Sequence, residues 1–173
     1  MSPVDLFLKF WLRRGRYPWS RLRRLFERKH LSTPLPSAAT VQDVADALAQ
    51  VTWTMDGPLH LYDCISYPQT TWVKKKDDCD GFAVLAAALL RQVDADTLPV
   101  LVTVMLSPAA KSHTVCVFKE GDAYRFFDNA HLNDSTYPSY ADVVQEVARR
   151  GERVVCWDVL DPVGLRQLEY HGG

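Results

Sequence analysis

The chain has no cysteine pair at C-x-x-C spacing. Cys64, Cys79, Cys116 and Cys156 lie far apart, and no histidine joins them at zinc-like spacing, which removes the metal-finger and dithiol redox classes. No apolar run approaches the length of a membrane span. Met1–Leu12 contains Asp5 and Lys9 and runs into arginines without a cleavage motif, so it does not read as a signal peptide. Free thiols in a reducing cytoplasm are the expectation, with no metal and no cofactor. Internal repeats and low-complexity segments are also missing, and net charge is only −1.

What is present is enough apolar material for one well-buried core, 47% of 173 residues. The charge is unevenly placed. Residues 1–30 hold nine Lys/Arg against Asp5 and Glu27, and the rest of the chain carries the compensating acid. In this segment Ser2-Pro3 reads as an N-cap followed by proline at the first helical position. Val4, Phe7, Leu8 and Trp11 recur at helical spacing, Gly15 and Pro18 interrupt, and Leu22, Leu25 and Phe26 resume. The pattern predicts an amphipathic helical pair, followed by a linker at 31–37 that contains Pro34 and Pro36. We therefore divide the chain into a basic helical extension, 1–37, and a domain, 38–173. Packing on the domain with a solvated arginine face is the plain reading of the extension. Phe7, Phe10 and Trp11 beside Arg13, Arg14, Arg21, Arg23 and Arg24 also suit a membrane surface or an acidic partner. No base-reading motif supports nucleic acid.

Within the domain, Thr40 caps a helix expected over 41–52, with Val41, Val44, Ala45 and Leu48 on one stripe. Residues 54–76, aromatic and interrupted by proline, read as loop. Trp53, just before this stretch, and Tyr62, Tyr67 and Trp72 within it could line a groove or pack the core. A helix from Cys79 to about Arg91 is apolar nearly all round and so belongs in the centre. The period then changes. Leu98–Leu106, His113–Phe118 and Ala123–Phe127 read as strands, with a tight hairpin at Glu120-Gly121-Asp122. A helix over Tyr140–Arg150 and a strand over Arg153–Trp157 complete an α+β order: a central helix packed on an antiparallel sheet.

The chemistry gathers at Asp77-Asp78-Cys79-Asp80-Gly81-Phe82-Ala83. A cysteine at a helix N-terminus meets unpaired N–H groups and partial positive charge, which favour thiolate. A thiol nucleophile needs a base, and the base needs an orienting group. Counting back from a turn at Gly121 sets His113 opposite Asp128 on adjacent strands, where directly opposed side chains share a face. Cys116 then points to the other face as a small buried hydrophobe. Asp78 and Asp80 read as capping and dipole-complementing acids. His30, His60, His131 and His171 have no spacing that implies a site.

Asp-x-Cys-Asp-x-Phe-Ala before a Leu/Ala-rich helix, then a His-initiated strand, then aromatic-Asp, resembles the transglutaminase-like superfamily over roughly residues 40–130. The bacterial transglutaminase-like cysteine peptidases are the nearest flavour. The resemblance implies a papain-like core with Cys79 as nucleophile, His113 as base and Asp128 as orienting acid. It implies an oxyanion site made by the Cys79 backbone and an upstream side chain, for which Gln69, Trp72 and Trp53 are the candidates. Where the family carries glycine, this chain has Asp77. The implied activity is that of a thiol hydrolase, a cysteine protease or amidase acting on a protein or peptide, with hydrolysis favoured over transamidation. The alternatives are the same fold used as an inactive binding or assembly module, and a cell-wall peptidase. Asp128 and the lack of an export signal speak against the peptidase.

Overall fold

The computed structural model describes residues 2–55, 64–148 and 152–172; Tyr62 and His60 fall outside them. Helix α1 (Pro3–Phe10) begins at Ser2 with a reciprocal capping box to Asp5. A π-helical turn (Trp11–Gly15) joins it to α2 (Arg16–Glu27), and every residue across the junctions is right-handed helical. The expected pair is therefore one continuous rod. Pro18 lacks a backbone donor, and the wider turn just before it absorbs the mismatch that would otherwise break the helix.

Helix α3 (Val41–Leu48) starts at Thr40 as expected, with Asp43 closing a capping box. The 54–76 region holds more order than its composition suggested. Strand β1 (Thr52–Trp53) pairs in parallel with β2 (Lys76–Asp77), and α4 (Pro68–Lys74) lies between them with proline at its first turn. Helix α5 (Cys79–Val93) is buried on almost every side. Burying Phe82, Leu85, Leu89 and Leu90 is worth roughly 1.5–3 kcal/mol each.

The sheet is antiparallel, in the order β6-β5-β4-β3-β7-β8. Its strands are β3 (Val100–Ser107), β4 (His113–Glu120), β5 (Ala123–Asp128), β6 (His131–Leu132), β7 (Arg153–Asp161) and β8 (Arg166–Gly172). The edge strand β8 alternates only at Leu168 and Tyr170, too briefly to announce it. Alternation along the strands divides the core in two. Leu101, Cys116, Phe118, Phe127 and Leu160 pack with α5, while Val102, Val104, Val115, Val117 and Phe126 pack with α6 (Tyr140–Ala148). Leu8, Trp11 and Leu12 of the N-terminal rod cover Met105, Val155 and Cys156. The arrangement is α+β, with α5 as the central helix.

The rod is also held by polar groups. Arg24 donates to the carbonyls of Ser66 and Pro162, and Glu27 accepts from Thr70 and the Tyr67 N–H. Tyr17 Oη donates to Asp158 Oδ2, which also accepts from Gln167 at 2.6 Å. Asp158 is fully buried, and its Oδ1 has no partner among the described residues. Burial pushes its carboxyl up to about 6, against the pull of Arg16 and of those two hydrogen bonds. The folded protein thus keeps a proton that the unfolded chain releases near pH 3.8. Stability falls as pH rises between these values, and the loss, roughly 3 kcal/mol, is complete above the higher one. Asp158→Asn is expected to remove that descending step from urea-unfolding free energies measured across this range. An unchanged slope in the variant would place the pH dependence elsewhere.

Candidate active site

Cys79 is the first residue of α5, behind the N-cap Asp78, whose carboxylate accepts from the Asp80 N–H at 3.1 Å. Asp77 does not need the backbone freedom of the glycine that the family resemblance leads one to expect, since its φ is negative. Its carboxylate accepts from Thr71 Oγ1 at 2.6 Å, Ser66 Oγ at 3.3 Å and the Asp78 N–H at 3.1 Å. Gly81 makes room for it: a Cβ there would lie 2.1 Å from Asp77 Cγ. Asp77 is thus a buried brace under the first turn of α5.

Asp80 forms a salt bridge with Arg16, and both side chains are sealed from solvent. Arg16 also donates to Thr103 Oγ1 at 2.6 Å and Thr114 Oγ1 at 3.2 Å. The negative charge next to Cys79 therefore has a cation beside it, contributed by the N-terminal rod. No sequence pattern marked Arg16 for this role, because it sits in a basic run that reads as solvated.

His113 Nε2 lies 2.7 Å from Asp128 Oδ1, and both side chains are 14% exposed. The expected direct opposition is corrected by the register. Gly121 and Asp122 form a two-residue turn with Gly121 at φ +64°, and the ladder runs Glu120↔Ala123 through Cys116↔Phe127. Continued by one residue, it sets Val115 opposite Asp128 and makes His113 a diagonal neighbour. A slip of two residues keeps every side chain on its face, and diagonal neighbours are within reach of long side chains. The hydrogen bond survives the correction.

Cys79 and His113 line one cavity of about 280 Å³, together with Trp53, Met55, Leu106, Ser112 and Asn129. Lys111 and Glu152, 4.0 Å apart, also line it. Cys79 itself is only 4% exposed. Of the upstream oxyanion candidates, Trp53 reaches this cavity. Gln69 lines a separate cleft with Arg24, Tyr67 and Arg91. Trp72 packs against the α5 core with Lys75 over its ring. His131 is exposed on β6, and His171 stacks on Trp157 and pairs with Glu169.

The sequence reading missed Asn129. It occupies the β5–β6 turn at φ +53°, its Nδ2 donates to Asp128 Oδ1 at 3.4 Å, and its buried Oδ1 has no partner among the described residues. An asparagine directly after the strand that ends in Asp128 was the available signal, since asparagine tolerates the left-handed region.

The remaining thiols sit in environments that suppress ionisation. Burial pushes the Cys116 and Cys64 thiols up, and Cys156 up to about 11. The chain matches no protein-family model and no curated protein sequence. No described helix is long and apolar enough to cross a membrane.

Removing Arg16 alone leaves Asp80 as an uncompensated buried charge, which typically costs about 3–5 kcal/mol. Arg16→Met is expected to lose that much in urea unfolding, and Arg16→Met combined with Asp80→Leu to recover a large part. A single-variant loss below about 1 kcal/mol would show that the pair does not anchor the rod.

Proposed function

We propose that the protein is a cysteine-dependent acyl-transfer enzyme of the transglutaminase-like type, with a papain-like core, that hydrolyses an amide or peptide bond. The observation that carries the reading is the convergence of Cys79, at a helix N-terminus, and an aspartate-bound His113 on one cavity. Asp128 occupies His113 Nε2 and so fixes the ring, leaving Nδ1 for the thiol.

In the proposed reaction His113 takes the Cys79 proton and the sulfur attacks the carbonyl carbon. The oxyanion gathers at the positive end of α5, where the Cys79 N–H and the Trp53 indole N–H are the donors. Collapse breaks the C–N bond, and His113 returns its proton to the departing amine. Water, deprotonated by His113, then hydrolyses the thioester, releasing a carboxylic acid and the free thiol. Hydrolysis is preferred over transfer to an amine because nothing among the described residues of the cavity selects an amine over water.

The second reading, a binding or assembly module without turnover, draws on the 4% exposure of Cys79. Site-resolved iodoacetamide labelling at neutral pH separates the two. The enzyme reading expects Cys79 to react ahead of Cys64, Cys116 and Cys156, and expects His113→Ala and Asp128→Ala each to slow it about tenfold or more. Labelling without preference for Cys79, or indifferent to His113, favours the module.

A further inference from the structure

The N-terminal rod carries two parallel stripes. Leu8, Leu12, Arg16, Ser20, Arg24 and Glu27 face the domain and are buried. Offset by two positions, and so on the opposite side of the helix, run Phe7, Phe10, Arg14, Pro18, Leu22 and Phe26, all exposed. The π turn keeps both stripes straight at a spacing of about four residues through Trp11–Gly15. Leu6, Trp19 and Leu25 widen the outer stripe; Phe10 is 60% exposed, Trp19 57% and Phe26 76%. An apolar face of this size on a soluble surface marks an interaction site.

The charges on the rod sort in the same way. Its only two acids are turned inward: Asp5 is 4% exposed and paired with Arg153, and Glu27 is 8% exposed and paired with Arg23. Arg14, Arg28 and Lys29 are exposed, and none of them pairs with an acid among the described residues. The outer face therefore combines large aliphatic and aromatic side chains with cations and no anion, along about 33 Å of helix from Val4 to Phe26.

We infer that this face lies flat on an anionic phospholipid surface, with Phe10, Trp19, Leu22 and Phe26 in the headgroup–acyl boundary and Arg14, Arg28 and Lys29 on the headgroups. Three observations select this occupant. The composition is that of an interfacial helix: apolar and aromatic residues for burial, cations for anionic lipid. A second copy of the chain would set the same cations against one another. The rest of the chain carries the excess acid, so an anionic surface is met without repulsion only rod-first. The inference is independent of the chemistry proposed for Cys79.

Flotation with vesicles tests it, comparing pure phosphatidylcholine with phosphatidylcholine mixed with phosphatidylglycerol. The full chain is expected to float with the mixed vesicles, to stay behind with the neutral ones, and to be released by high salt. Two variants divide the contributions: Phe10→Ser with Phe26→Ser, and Arg14→Glu with Arg28→Glu. Each is expected to lower partitioning about tenfold or more while leaving thermal unfolding unchanged, because all four positions are exposed. The inference fails if the full chain does not float, if it floats equally with neutral vesicles, or if either variant binds as well as the parent. It also fails if the face instead drives self-association that the Phe variant abolishes, or binds an acidic polypeptide but no vesicle.

Discussion

A guanidinium sealed inside the protein, that of Arg16, holds the carboxylate of Asp80 one residue from the cysteine at the head of the central helix. Taking both charges out of water is expensive, and only good geometry and additional hydrogen bonds repay it. Thr103 and Thr114, on neighbouring strands of the sheet, supply those bonds. The interaction thus joins three layers at one point: the N-terminal rod, the sheet, and the first turn of α5. It gives the rod a fixed rotation about its own axis, and that rotation determines which side chains are left facing outward. It also places a cation beside an acid that would otherwise sit alone near the sulfur and oppose its ionisation.

Around that anchor the cavity is assembled from elements distant in the chain. Asp77 braces the start of α5 from below, and Gly81 is the residue that lets it approach. His113 opens β4, Asp128 closes β5, and Asn129 turns the chain into β6. Trp53, from the small parallel ladder, closes a further side. These side chains are held by strand pairing or helix capping, so the geometry around Cys79 is largely set before anything enters the cavity.

Much of this could be read in the sequence wherever the signal was local. Thr40 announced α3 as its N-cap, and the apolar circumference of α5 announced its central position. The His113–Asp128 hydrogen bond was legible despite a register wrong by two, because β geometry forgives even slips and not odd ones. What escaped depends on partners far away in the chain. Arg16 looks like one arginine among nine Lys/Arg, and only Asp80, 64 positions on, makes it a core residue. Pro18 reads as a break until the π turn ahead of it is known. Helix α4, short and rich in β-branched residues, is sustained by contacts to α5 that no local propensity encodes.

The central claim is that Cys79 carries an acyl group during turnover, and intact-protein and peptide mass spectrometry after exposure to a peptide-amide library tests it most directly. The account predicts an acyl mass increment localised to Cys79, accumulating when water is limiting or His113 is replaced by a weaker base, and missing in Cys79→Ala. A library that leaves Cys79 unmodified, or that modifies Cys64 in its place, would contradict it.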